Sequence, residues 1–200
     1  MREPHAPEGV LTFSLLPFGT DPAPFGLQLV GQLERQGDQL AITYHLRGPL
    51  TSVVLPVPPT TGAPRRLDGL WEHTCFELFL AAEGMEPYWE LNLAPNGDWN
   101  LYRLDGYRQG LTPMGDRDAL PFAVRASGQG LELELTLELP LELALACRHR
   151  ALQLGITAVM EHPEGDLTYW ALAHGGADAD FHRREDFLLQ LAPPLGQGNG

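Results

Sequence analysis

The run Gly130–Leu139, GLELELTLEL, constrains the fold more than any other stretch of the chain. Leu131, Leu133, Leu135, Leu137 and Leu139 alternate without a break with Glu132, Glu134, Thr136 and Glu138. A helix turns every 3.6 residues and would scatter those leucines around its whole circumference. A strand sends successive side chains to opposite faces and points all five one way. The segment therefore reads as a strand with one buried and one wet face. Leucine far outnumbers valine and isoleucine here, which by propensity favours helix. Propensity is the weaker signal, and the pattern outranks it.

Similar short segments recur, punctuated by Gly, Pro, Asn and Asp. Strands are expected near Val10–Leu16, Leu27–Leu33, Gln39–Leu46, Leu50–Leu55, Thr74–Ala81, Tyr88–Leu93, Trp99–Leu104 and Phe122–Ala126. Beyond Gly130–Leu139 they continue at Ala151–Met160, Leu167–Leu172 and Phe187–Leu191. Gln36–Gln39, Pro95–Asp98 and Ser127–Gly130 have the composition of hairpin turns. Pro140–Arg148 is the one expected helix, opened by proline and closed by Arg-His-Arg at its negative end. Many short strands without a βα rhythm predict an all-β antiparallel sandwich, jelly-roll-like or immunoglobulin-like, with at most one or two short helices. Pro56–Pro64 reads as a long loop.

Charge removes several functions. Thirteen basic residues stand against 26 acidic ones, a formal charge of −13. Such a chain repels a phosphate backbone, so no nucleic-acid partner is expected. All the basic residues are arginine, which excludes Schiff-base lysines and Walker-type phosphate loops. Residues 1–9 show no basic region followed by an apolar core, and no apolar run approaches the roughly 20 residues that span a bilayer. A cytoplasmic location with no membrane partner is expected. Cys75 and Cys147 are too few for a disulfide scaffold.

The chemistry concentrates between Leu67 and Gly110, which holds three of the four tryptophans. Alternation sets Phe76, Leu78 and Leu80 against Cys75, Glu77 and Phe79. On the next strand it sets Trp89, Leu91 and Leu93 against Tyr88, Glu90 and Asn92. One sheet face then carries Glu77, Glu90 and Asn92, beside Asn100 and Tyr102, or beside Arg103 in the neighbouring register. Carboxylates, amides and aromatics on one face suit hydroxyl-rich ligands, because they hydrogen-bond hydroxyls and stack on apolar rings. The competing reading is a solvated outer face.

Leu70-Trp71 ahead of Cys75–Leu80, followed by Tyr88–Asn100, resembles the DOMON-like proteins related to family 9 carbohydrate-binding modules. Leu154–Thr157, Leu167–Trp170 and Asp180–Arg184 before Phe187–Leu191 fit as well, so the resemblance spans about residues 10–191. It implies one β-sandwich domain over 10–191, an N-terminal arm over 1–9 and a flexible tail over 192–200. Relatives of this kind bind sugars or haem without catalysis. In the sugar-binding modules two aromatics sandwich a ring: Trp71 matches the first, and Phe181-His182 stand near the second. The carboxylate that holds sugar hydroxyls matches Glu77, with Asn92, Asn100 and Arg103 in the polar positions after it. In the haem-binding branch a Met and a His ligate iron; Met85, Met114 and Met160 are available, but none sits in a matching motif.

The expected function is a non-catalytic module for a small sugar-like ligand, with no cofactor, acting as a monomer or weak homodimer. Its expected binding residues are Trp71, Glu77, Glu90, Asn92, Asn100, Arg103, Phe181 and His182. The alternatives are a haem-binding domain, or an enzyme that cleaves a glycoside through Glu77 and Glu90, whose separation would decide the stereochemistry. His73, Glu161, His162, His174 and His182 match no zinc spacing, so no metal is expected. Ser14, Ser52 and Ser127 lie in no nucleophile motif, and Cys75 reads as a packed core residue.

Overall fold

The computed structural model describes residues 10–19, 23–57, 64–115 and 117–194. The arm expected over 1–9 lies outside them, as do residues 58–63 of the proline-rich loop and 195–200 of the tail. The strands are β1 (Val10–Pro17), β2 (Gln28–Gln36), β3 (Gln39–Arg47), β4 (Cys75–Ala82), β5 (Tyr88–Leu93) and β6 (Trp99–Leu104). After them come β7 (Thr112–Pro113), β8 (Phe122–Ser127), β9 (Gly130–Glu138), β10 (Leu152–Glu161), β11 (Leu167–Ala171) and β12 (Leu189–Leu191). The α-helix among the described residues, α1 (Leu141–Ala146), starts behind Pro140 as its sequence requires.

The strands follow one path, β7-β6-β5-β4-β10-β11-β1-β2-β3-β9-β8, with β12 also on β10. Every pairing along it is antiparallel. Strand β1 joins the halves, pairing β2 through Val10–Leu15 and β11 through Leu16 and Pro17. The sheet curls, so β3 faces β4. Tyr44 of β3 packs edge-on against Phe13 and Phe76, and its hydroxyl donates to the Glu77 carbonyl at 2.7 Å. Gly31 makes room for this: a Cβ there would lie 2.3 Å from Cζ of Phe13 and 2.2 Å from the Thr43 carbonyl oxygen.

The five leucines of Gly130–Leu139 are buried, so the period-two reading holds. Glu132 and Glu134 are half-buried rather than fully wet, because Arg125 of β8 bridges both. The hairpins close as expected, with Gln36 opposite Gln39 and Ser127 opposite Gly130. Two expectations need correction. Leu50–Leu55 is not a strand: Leu50–Ser52 is a 3-10 turn, closed by the Ser52 hydroxyl on the Pro49 carbonyl. Phe187 and Leu188 precede β12 rather than belong to it, because Phe187 follows a 3-10 turn, Arg184–Asp186, and packs inward.

Candidate ligand-binding site

Strands β4 and β5 are buried along their whole length. Phe76, Leu78, Leu80, Trp89, Leu91 and Leu93 enter the main core. The opposite face, which the competing reading leaves in water, is covered. Phe79, Ala81, Tyr88, Tyr102, Leu104 and Phe187 form a second apolar cluster there, with Trp71 and Phe181 packed against it. Gly155 of β10 admits this cover: its absent side chain leaves room for the Phe187 ring, whose Cδ1 lies 2.8 Å from where a Cβ would be.

Beside the second cluster lies a cavity of about 340 Å³. Glu77, Phe79 and Glu90 line it from the sheet, Val159 and Tyr169 from β10 and β11, and Leu104 from the end of β6. Trp71, Arg108, Leu111, Ala179, Phe181 and His182 close it from the loops. Five of the eight expected residues therefore meet here: Trp71, Glu77, Glu90, Phe181 and His182.

Glu77 is 2% exposed and Glu90 4%. Register places Glu77 opposite Asn92 and Phe79 opposite Glu90, so the two glutamates are diagonal neighbours. Thr157, opposite Glu77 on β10, donates its hydroxyl to Glu77 Oε2 at 3.0 Å. Glu77 Oε1 has no hydrogen-bond partner among the described residues. Burial, and secondarily the neighbouring Glu90, raise the Glu77 carboxyl from its ordinary 4.5 to about 8. Burial raises Glu90 too, opposed by the Asn92 amide, which donates to its Oε1 at 2.8 Å, and by Arg108. Two buried acids with no cation between them among the described residues resist joint ionisation.

The loop side is a network. Tyr107 and Arg108 reach Asp180, the phenol at 2.5 Å and the guanidinium at 2.8 Å, and Asp180 also accepts the His182 N–H. Arg108 holds a left-handed backbone, φ 52°, unusual for a side chain of its size. Its N–H donates to the Tyr88 oxygen at 3.3 Å, and the Tyr88 hydroxyl meets His182 Nδ1 at 2.7 Å. Burial raises Tyr88 to about 12, so the phenol keeps its proton and donates it to Nδ1. Burial, then Arg108, lower His182 to about 4, so the ring is neutral and carries its proton on Nε2, 4.0 Å from Glu90 Oε2.

The remaining expected residues stand elsewhere. Asn92 is fully buried beneath the cavity, where it orients Glu90. Asn100 donates to the Leu67 carbonyl, Asp68 and Tyr102, and accepts from Arg66, so it anchors the loop leading to Trp71. Its hydrogen bonds are spent on protein. Arg103 is on the other face: alternation sets it over Trp89, where Glu142 of α1 and Asp105 pair with it. Trp71, in the 3-10 turn Leu70–Glu72, is half-buried and meets Tyr102 edge-on at 5.9 Å. The histidines considered for metal disperse into structural bonds. His162 bridges the Ser52 carbonyl and Thr168, His174 reaches the Leu16 carbonyl, and His73 pairs with Glu161. Among the described residues no group of three or more His, Cys, Asp or Glu converges. Met85, Met114 and Met160 pack in or against the main core, away from the cavity lining.

Residues that the sequence reading missed include Arg108, Thr157, Val159 and Tyr169. Thr157 and Val159 alternate onto the Glu77 face, which is readable once β10 is known to pair with β4. Arg108 has no pattern signal.

No protein-family model matches the chain, and no curated protein matches it. Among solved structures, a protein of Bacteroides uniformis provisionally described as carbohydrate-binding aligns with a TM-score of 0.65 at 12% identity, covering 88% of this chain and 84% of that one. A family 9 carbohydrate-binding module of Caldicellulosiruptor kristjanssonii, solved with cellotriose, aligns with a TM-score of 0.43 at 12% identity, covering 79% of this chain and 71% of that one. The same kind of module solved with glucose gives 0.41 at 13% identity, with coverages of 74% and 69%. The first of these shows a shared fold: a mostly β chain built on a curled antiparallel sheet.

Proposed function

We propose that the chain is a non-catalytic binding module for a small carbohydrate or similar polyhydroxylated ligand, held in the cavity over Glu77. The observation that carries this reading is the Glu77 carboxyl, buried on the cavity lining with Oε1 unpartnered. A buried polar oxygen is costly unless a hydrogen-bond partner meets it, and a ligand hydroxyl, which both donates and accepts, serves a carboxyl in either protonation state. Trp71, Tyr169 and Phe181 supply flat apolar surface beside it, the pairing of polar and aromatic groups that a sugar ring needs. Asn92 and Asn100 serve as supports, one for Glu90 and one for the Trp71 loop. The volume lies at the small end of ligand clefts, about 300–1,000 Å³, which suits a mono- or disaccharide.

The curled sheet is read here as a two-layer, jelly-roll-type sandwich, supported by the Phe13–Tyr44–Phe76 contacts across it. Relation to the DOMON-like and family 9 proteins is supported by the sequence around Trp71, Cys75–Leu80 and Tyr88–Asn100. The Bacteroides uniformis protein, a solved structure that shares the fold, is provisionally described as carbohydrate-binding, which agrees with this reading.

Titration calorimetry with a panel of mono- and disaccharides tests it. Saturable binding of at least one sugar, weakened at least about fivefold by Trp71→Ala, a loss of about 1 kcal/mol, is expected. No heat with any sugar, together with a Soret band on adding haem, replaces it by the haem reading. Glycoside turnover abolished by Glu77→Gln replaces it by the enzyme reading.

A further inference from the structure

We infer that the cavity selects an amino sugar, its ammonium group lodged between Glu77 and Glu90 and its ring against Trp71. This deepens the sugar-binding reading of the same site and rests on it.

The charges around the cavity do not balance. Arg108 is the cation among its described lining residues, and its Nη2 is bound to Asp180 Oδ1 at 2.8 Å. Asp180 thus engages the Arg108 guanidinium directly, and Arg108 reaches Glu90 only through space. His182 is neutral and offers Glu90 only a distant N–H, at 4.0 Å. Glu77 and Glu90 have a hydroxyl and an amide as hydrogen-bond partners, Thr157 and Asn92, and among the described residues neither is paired with a permanent cation. Both are more than nine-tenths buried, and Glu77 Oε1 is unpartnered.

A neutral hydroxyl can meet that oxygen but gives the two acids no charge with which to ionise together. An ammonium does both, since it brings three donors and a positive charge to the site. The walls also favour an organic cation over a metal ion. Calcium takes six to eight oxygens, and no third acidic or histidine ligand joins the two carboxylates among the described residues. Trp71, Phe79, Tyr169 and Phe181 instead present aromatic surface, which attracts cations and stacks on rings.

Titration of the full chain with D-glucose, D-glucosamine and N-acetyl-D-glucosamine at near-neutral pH tests this. D-glucosamine is expected to bind at least about tenfold tighter than D-glucose, the scale of one charge-assisted hydrogen bond. N-acetylation, which removes the charge, is expected to erase the advantage. Glu77→Gln and, independently, Glu90→Gln are each expected to collapse the glucosamine-to-glucose ratio toward unity, with thermal melts reporting that both variants fold. Equal or tighter binding of D-glucose overturns the inference and leaves the sugar-binding reading standing. A ratio preserved in both variants overturns the placement of the ammonium. Failure of every sugar to bind overturns both readings together.

Discussion

Glu77→Gln removes a buried acid whose protonated form the fold prefers, so its effect on stability depends on pH with a definite sign. In the unfolded chain Glu77 titrates near its ordinary 4.5, and in the folded chain near 8. Below the lower value both states hold the proton and nothing is lost. As pH rises from 4.5 through 8 the unfolded state releases the proton first, and native stability falls. Each tenfold difference in proton affinity is worth about 1.4 kcal/mol, so the full displacement sets a ceiling of about 5 kcal/mol. Local relaxation and water entry around a buried ion reduce this to about 2–4 kcal/mol. Glutamine has the same shape, can still accept from Thr157 and does not titrate. Urea unfolding of wild type and variant at several pH values between mildly acidic and mildly basic is the assay. The variant should gain on wild type by about 2–4 kcal/mol across that range. His182 works in the opposite direction: its lowered value costs stability as pH falls from 6.5 toward 4. It is present in both proteins, so its contribution largely cancels in the comparison. A difference that stays constant with pH would refute the view of Glu77 as a buried acid.

Three further substitutions probe the frame around the site. Gly31→Ala forces a Cβ into the Thr43 carbonyl and the Phe13 ring, and should lower stability in urea by about 1–3 kcal/mol or more, because the backbone oxygen cannot step aside. Tyr44→Phe deletes the buried hydroxyl bond to the Glu77 carbonyl and should cost about 1–2 kcal/mol in the same assay. Arg103→Ala breaks partly exposed ion pairs on the far face, so stability should change by no more than about 1 kcal/mol, and calorimetry should find sugar affinity unchanged.

The parts of this fold that were legible in the sequence are those where period two maps directly onto burial. Leu131 to Leu139 point inward because each second side chain of a strand must share a face. The same rule puts Glu77, Glu90 and Asn92 on one face. It also set Arg103 opposite Asn100, though the open register let Arg103 be grouped with them. Solvation of that face was not legible, because it depends on what covers it. Phe187 packs over Gly155, and the segment carrying Phe181 and His182 docks through Asp180 onto Tyr107 and Arg108, contacts made by residues far apart in the chain. That cover changes what the amides mean. Asn92 and Asn100 have the composition of ligand residues, yet Glu90 and the loop before Trp71 consume their donors. Leu50–Leu55 has the residue types of a strand, but Val54 bonds singly rather than along a ladder: its N–H donates to the Glu161 carbonyl and its carbonyl accepts from the Thr74 hydroxyl.

Trp71 offers the most direct test of the central claim, that a sugar ring occupies the cavity against it. Of the four tryptophans, Trp89, Trp99 and Trp170 are no more than 1% exposed, whereas Trp71 is half-buried. Acrylamide therefore reaches chiefly one indole, and the quenchable fraction of the fluorescence reports on Trp71. Saturating D-glucosamine, or D-glucose where that binds, should protect it and flatten the quenching curve, and Trp71→Phe should remove both the quenchable fraction and the effect. A quenching curve unchanged by a sugar that calorimetry shows to be bound would place the ligand elsewhere and contradict the account.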